Sequence, residues 1–439
     1  MKYLKLFVLA VAFLFAANTY SQWTYCNGSA SMTGLGTNPG IYCLDGNNAI
    51  VVGGVTGAPK VYKTTNGGVN FVNITANLTG PELYAGCMID ANTLMVGDGA
   101  GNAKLWRSTD GGVSWTTVLT TGGSGGFFNG IVKANLTPGF VVAQSDGPTG
   151  SGATCVMYVS TNSGATWTPS LQTGVGFTIG SLPAVFCIDN QFFGNGASTT
   201  PRVAITTNGG TSWSGYPISV TGTFTSGVAF NNNKLNGLGI SSASYPNISR
   251  TTNGGVNWTT LSTGGTGTST LNVLRWAPGT DICYLATSLG IMVTTNNGTS
   301  FSNMTTSSIT GFFDISVQVV GGNIVGYAVA GDGSVVKLST PVAVDPTNTT
   351  TPSTFALEQN YPNPFNPSTT IKYSVPVSGN VSIKVYNSIG VEVMTVVNGN
   401  HAAGNYVENV DLSGLSSGIY FYTLTSGNFT DTKKMMLVK

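Results

Sequence analysis

The sequence predicts an all-β protein, a seven-bladed β-propeller followed by a small Ig-like β-sandwich. Three observations carry the prediction. A nine-letter phrase, "RSTDGGVSW" at 107–115, occurs in six degraded copies. The polar centres of the copies lie 44, 52, 46, 45 and 43 residues apart, a period of radial β arrays. The last 85 residues or so hold short strand-like stretches between Gly-rich turns, as small sandwiches do.

The chain opens with "MKYLKLFVLAVAFLFAANTYSQ". Lys2 and Lys5 precede an apolar stretch of twelve residues, Leu6 to Ala17. That is too short to span a bilayer and suits a signal peptide over 1–21. No later apolar run reaches about eighteen residues, so no transmembrane segment is expected. Charged residues make up 8% of the 439, against roughly 25% in typical soluble proteins. With 41% hydrophobic residues the chain is not disordered. A net charge of +1 leaves no footprint for nucleic acid.

The repeat reads hydroxyl, Asn or Asp, Gly, then an aromatic. Its polar centres are Asn66, Asp110, Asn162, Asn208, Asn253 and Asn296. The aromatics are Phe71, Trp115, Trp167, Trp213, Trp258 and Phe301. Asn or Asp is expected to accept backbone N–H groups two residues on and fix a tight turn. Gly supplies a positive φ, and the hydroxyl adds a local bond. Five of the six centres are Asn, which no catalytic carboxylate would tolerate. These residues are therefore framework.

Residues 22–340 number 319, about 46 for each of seven blades. "AGDGSVVKLST" (330–340) matches "VGDGAGNAKLWRST" (96–109) as a third strand, but no repeat turn follows it. Trp23 stands where a turn-ending aromatic would sit. Residues 22–26 are thus expected to supply the outer strand of the seventh blade, hiding two sheet edges. Cys43, Cys87 and Cys187 occupy matching places in their repeats. Matching places in face-packed sheets are roughly 10 Å apart, beyond the reach of a disulfide. The pairing of Cys26, Cys155 and Cys283 stays open.

The motif resembles the Asp-box, or sialidase-type BNR, repeat of β-propellers, directly over 60–301 and by extension over 22–340. The resemblance implies the fold rather than an activity, because the repeat occurs in sialidases, xyloglucan hydrolases, sortilin-like receptors and a photosystem assembly factor. Sialidases clamp a carboxylate with three arginines and use a Tyr–Glu pair and an Asp. Here Arg107 and Arg250 sit three residues before a repeat centre and belong to the repeat, which leaves Arg202 and Arg275. Glu82 is the propeller's one glutamate, and the chain's one histidine is His401. No sialidase constellation, Ser–His–Asp triad or His-ligated zinc is expected, and no metal or cofactor.

Alternating strand directions put the repeat turns on one face. The other face takes the second-to-third-strand turns and the blade-to-blade loops. Asp98, Asp146 and Asp332 sit in such turns as "GDG", "SDG" and "GDG". Tyr84, Phe127, Phe177, Phe224 and Phe312 lie 15 to 18 residues after a repeat centre, with Phe128 and Phe313 beside two of them. These aromatics either start the inner strands and pack in the core, or form stacking platforms for a glycan or a partner loop.

Residues 341–354, "PVAVDPTNTTTPST", read as a linker. Beyond it, "YPNPFNPSTTI" (361–371), "SIKVYNSIGVEV" (382–393), "GLSSGIYFYTL" (414–424) and "KKMMLVK" (433–439) span 355–439. They resemble the type A C-terminal sorting domain of the bacterial type IX secretion system. The resemblance implies a Bacteroidota-like source, engagement of the secretion machinery, and export to the medium or the outer cell surface. The expected function is a secreted or cell-surface, non-catalytic propeller that binds a glycan or protein partner. The alternatives are a glycan-cleaving hydrolase with an aspartate pair at the mouth, and a structural surface component.

Overall fold

The computed structural model describes residues 23–438 apart from 100–101, 122–125, 148–153, 305, 307, 339–341, 344–353, 378 and 402–403. The expected signal peptide and most of the expected linker lie outside the described residues. The chain divides into two compact units, Met1–Val342 and Ala343–Lys439.

The first unit is a seven-bladed β-propeller. Six blades are four-stranded antiparallel meanders. Their inner strands are Gly40–Cys43, Leu83–Met88, Phe128–Lys133, Gly180–Cys187, Gly227–Phe230 and Leu271–Trp276. That of the seventh blade is Phe312–Val320. Each inner strand packs on the next, and the last returns to the first. There Ile41 N–H donates to Asp314 Oδ2 at 3.0 Å and Cys43 N–H to Ser316 Oγ at 2.9 Å.

The core lies between blades. Ile50 and Val52 of blade one cluster with Leu94, Val96, Trp106 and Trp115 of blade two. A second strand covered on both faces has no polar side to show. Leu94–Asp98, Val141–Ser145 and Cys283–Thr287 are accordingly buried at every position and read as near-continuous apolar runs. The outer strand Thr116–Thr120 has no fully buried residue.

The seventh sheet takes its outer strand from the start of the described chain. Trp23–Tyr25 pairs antiparallel with Val335–Leu338, with Trp23 opposite Leu338. Trp23 is 0% exposed. Its indole N–H reaches Met304 Sδ in blade six at 3.3 Å.

The six repeat turns share one hydrogen-bond pattern. Ser108 Oγ donates to Asp110 Oδ1 (2.8 Å) and accepts the N–H of Gly112 (2.9 Å). Asp110 Oδ1 accepts the N–H of Ser114 (3.0 Å). The same three bonds recur at Asn66, Asn162, Asn208, Asn253 and Asn296. The acceptor therefore reaches four residues on, not the expected two, and ties down the residue just before the aromatic. Gly112 has φ +99, and a Cβ there would lie 2.4 Å from Ile74 Cδ1. The turn thus needs glycine for both conformation and space. Trp115 is 2% exposed and donates to Ile74 O (2.9 Å) in the neighbouring blade. Trp167, Trp213 and Trp258 are half-buried. Their indoles donate to Gly164 O, Ser170 Oγ and Gly255 O.

The basic residue three positions before a centre reaches the next blade. Arg107 Nε donates to Ser163 O (3.0 Å), Arg250 Nε to Asn297 O (2.7 Å), and Lys63 Nζ to Gly111 O (3.2 Å). These cations latch one repeat turn to another and are committed to the frame.

The second unit is a β-sandwich. One sheet orders Ala356–Leu357, Ser368–Val375 and Gly404–Asp411, the other Glu392–His401, Gly379–Asn387, Gly418–Ser426 and Phe429–Leu437. Ile371, Tyr373, Ile383, Val385, Tyr422 and Leu424 are buried together. Phe365 is 3% exposed. Its N–H donates to Met436 O and its carbonyl accepts from Val438 N–H, so the "YPNPFNP" segment clasps the last strand.

Candidate functional site

The site grows from how the inner strands begin. In five blades the register shifts after the first ladder pair, over Gly180 to Val185 in blade four and by a single-residue β-bulge in four others. The extra residue is Tyr84, Asn129, Asn272 or Phe313, each skipped between two paired neighbours. A bulge re-aims its extra residue and stops the ladder locally. Asn129, Asn272 and Phe313 line one cavity at the mouth, together with Phe127, Asp146 and Phe224. The cavity encloses roughly 380 Å³, within the range of about 300–1,000 Å³ for small-molecule sites. Five blades contribute to it. Phe127, Phe224 and Phe313 enter from blades three, five and seven, each half-buried.

The other expected aromatics fall elsewhere. Phe128 and Phe312 are 0% exposed. Each is the paired residue beside a bulge, so it points into the core, Phe128 against Ala85, Cys87 and Ile131. Phe177, 7% exposed, packs with Cys155, Val175 and Ala204. Tyr84 is half-buried with its ring 4.4 Å from that of Phe127. Its hydroxyl donates to Glu82, and it lines a smaller pocket with Asn38.

The three expected aspartates do not converge. Asp98 is 2% exposed and accepts the N–H of Lys104 (2.7 Å), stapling its own turn. Asp332 is exposed and accepts the N–H of Ser334 (2.8 Å). Asp146 alone faces the cavity. Its Oδ1 accepts Asn129 Nδ2 (2.6 Å) and Gly180 N–H (2.9 Å). Burial pushes its carboxyl up to about 6, despite the bonds from Asn129, Gly180 and Gln144 that favour the charged form. Sequence alone does not single out Asn129 and Asn272. A one-residue bulge leaves no composition signal, and the alternation that would have flagged them is broken where it forms.

A second cavity of roughly 120 Å³ lies further along the axis, lined from all seven inner strands. Cys43, Cys87 and Cys187 share it with Lys133 and Arg275. All six cysteines are free and buried, including Cys26, Cys155 and Cys283. Burial pushes the Cys87 thiol up to about 11, so it is no nucleophile at neutral pH. Arg275 stands between the cavities. It donates to Leu274 O (2.9 Å) and Pro183 O (3.4 Å) and pairs with Asp314 at 3.5 Å. Among the described residues, no three His, Cys, Asp or Glu side chains gather so as to hold a metal ion, and no helix is long and apolar enough to cross a membrane.

Solved structures similar to this chain share its fold at low identity. YCF48 bound to a D1 peptide aligns at TM-score 0.54 and 15% identity, over 73% of this chain and 96% of that one. YCF48 from Cyanidioschyzon merolae aligns at 0.51 and 15%, over 72% and 99%. An ancestral GH74 enzyme aligns at 0.51 and 15%, over 94% of this chain but 63% of its own. No curated protein matches. The family described as the secretion system C-terminal sorting domain matches residues 359–439. The second unit is thus the part that engages the type IX secretion machinery, and the chain is exported by that route to the cell surface or beyond it.

Proposed function

We propose that the chain is an exported, non-catalytic β-propeller that holds an extracellular glycan or protein partner at its mouth. The mouth cavity carries this reading. It places three separate phenylalanines, two asparagines and a single carboxylate around one space of ligand size. A hydrolase using two carboxylates needs them about 5–9.5 Å apart, and Asp146 is the one acid among the described residues that line the cavity. Fold neighbours favour neither reading, since one is recorded with a peptide and another is an enzyme. The same reading takes the six turns as Asp boxes of the BNR type and 1–21 as a signal peptide. It also takes 22–340 as the propeller, 341–354 as a linker and the source as Bacteroidota-like.

The test is a screen of the mature chain against glycan and peptide arrays, followed by variants. Phe224→Ala and Phe313→Ala should weaken the selected ligand more than they lower the melting temperature. Phe128→Ala should do the reverse. If neither mouth variant changes affinity, the ligand sits elsewhere and the reading fails.

A further inference from the structure

We propose that the mouth cavity takes the ammonium or guanidinium group of a basic side chain on an extracellular polypeptide, with Asp146 as counter-charge and the three phenylalanines along its apolar stem. This rests on the mouth reading above and names the chemistry of its ligand.

Asp146 is the one ionisable side chain among the described lining residues. Its neighbours Asn129, Gln144 and Gly180 are neutral. The nearby Cys155 thiol stays protonated, because burial raises it far above neutrality. In sequence, 122–125 and 148–153 contain no ionisable residue. Arg275, which reaches the lining residue Pro183, is committed to Asp314 and to two carbonyls. The cavity therefore repels anions and leaves a half-buried carboxylate without a cation, which a cationic guest would supply.

Gln144 Nε2 donates to Ser145 O, which turns Gln144 Oε1 toward Asn129. Both N–H groups of Asn129 are then spent, one on Gln144 Oε1 and one on Asp146 Oδ1, each at 2.6 Å. Asn272 Nδ2 donates to Phe312 O and Ser226 Oγ to Leu271 O, again at 2.6 Å. Asn129 and Ser226 are each 3% exposed, so these commitments are fixed in the floor. At Asn129 and Ser226 the floor therefore offers only acceptors. Ammonium and guanidinium groups are all donor. Aromatic faces attract cations and cover the methylene stems of lysine and arginine.

The test uses the mature full-length chain on a positional-scanning peptide array beside a glycan array. Selected peptides should hold Lys or Arg at one fixed position. Replacing that residue by norleucine or citrulline, which keep its shape without its charge, should weaken binding about tenfold or more. Asp146→Asn keeps an oxygen for Asn129 and Gly180, so it should fold normally and lose this discrimination. The preference for the charged peptide should also fade as pH falls through about 6, where Asp146 protonates. Tolerance of norleucine, an unchanged preference in Asp146→Asn, selection of a glycan, or selection of no peptide each overturns the proposal. Failure of the cation proposal alone would leave Phe224→Ala still harmful to the selected ligand. Failure of the mouth reading would leave binding indifferent to Phe224→Ala and Asp146→Asn alike.

Discussion

Trp23→Ala should cost the propeller about 3–5 kcal/mol, the usual result of emptying a fully buried tryptophan site. Trp23 is 0% exposed and lies opposite Leu338 in the outer strand of the seventh blade. Its contact with Met304 Sδ at 3.3 Å adds little, because sulfur is a weak acceptor. Whole domains are stable by roughly 5–15 kcal/mol, so the loss is a large share. If the strand detaches as well, the edge of Val335–Leu338 is bared and aggregation follows. Urea unfolding followed by tryptophan emission suits the measurement. All seven tryptophans lie between 23 and 276, so the signal reports the propeller and not the sandwich. Tyr25→Ala, at a side chain 36% exposed in the same strand, is the control and should cost less than about 1 kcal/mol. If Trp23→Ala unfolds at the parent's urea concentration, the strand does not hold the ring shut.

Other expectations follow from the repeat and from the tail. Arg107→Ala removes the charged donor to Ser163 O and should lower stability by about 1–3 kcal/mol in the same unfolding assay, with ligand affinity unchanged. Hydrogen bonds from Ser114 and Ser108 hold the Asp110 carboxyl well below the usual carboxylate range. Its contribution to stability is therefore present above about pH 4 and lost as pH falls below that. Asp110→Asn copies the other five centres, so it should leave stability at pH 7 nearly unchanged and reduce the acid sensitivity of the unfolding midpoint. Removing 355–439 should leave a propeller with parental tryptophan emission, trapped in the periplasm. Finding it outside the cell would contradict its dependence on the sorting domain.

What the sequence revealed, and what it hid, follow from how local each device is. The repeat turn is legible because hydroxyl, Asn or Asp, and Gly each satisfy a bond or a φ within five residues, as Ser108, Asp110 and Gly112 do. The mouth is less legible because it depends on register. Phe127 and Phe128 are adjacent, yet one lines the cavity and the other is core. In the next such pair the order is reversed, with Phe312 buried and Phe313 at the mouth. The bulges at Asn129 and Phe313 decide this, and they arise from pairing with a strand some fifteen residues away. The aspartate turns look alike in sequence and differ through loop length. Asp98 is six residues from Lys104 and caps it. In blade three the gap from Ser145 to the next strand at Val156 is longer, and Asp146 turns instead toward Asn129 and Gly180.

Amide hydrogen exchange on the full-length chain, with and without the array-selected ligand, tests most directly which face binds. Ligand should slow exchange at the mouth, in 178–183, 224–227 and 311–313, and leave the repeat turns at 66–70, 110–114 and 253–257 as they were. Protection confined to the repeat turns, with the mouth unchanged, would contradict the account.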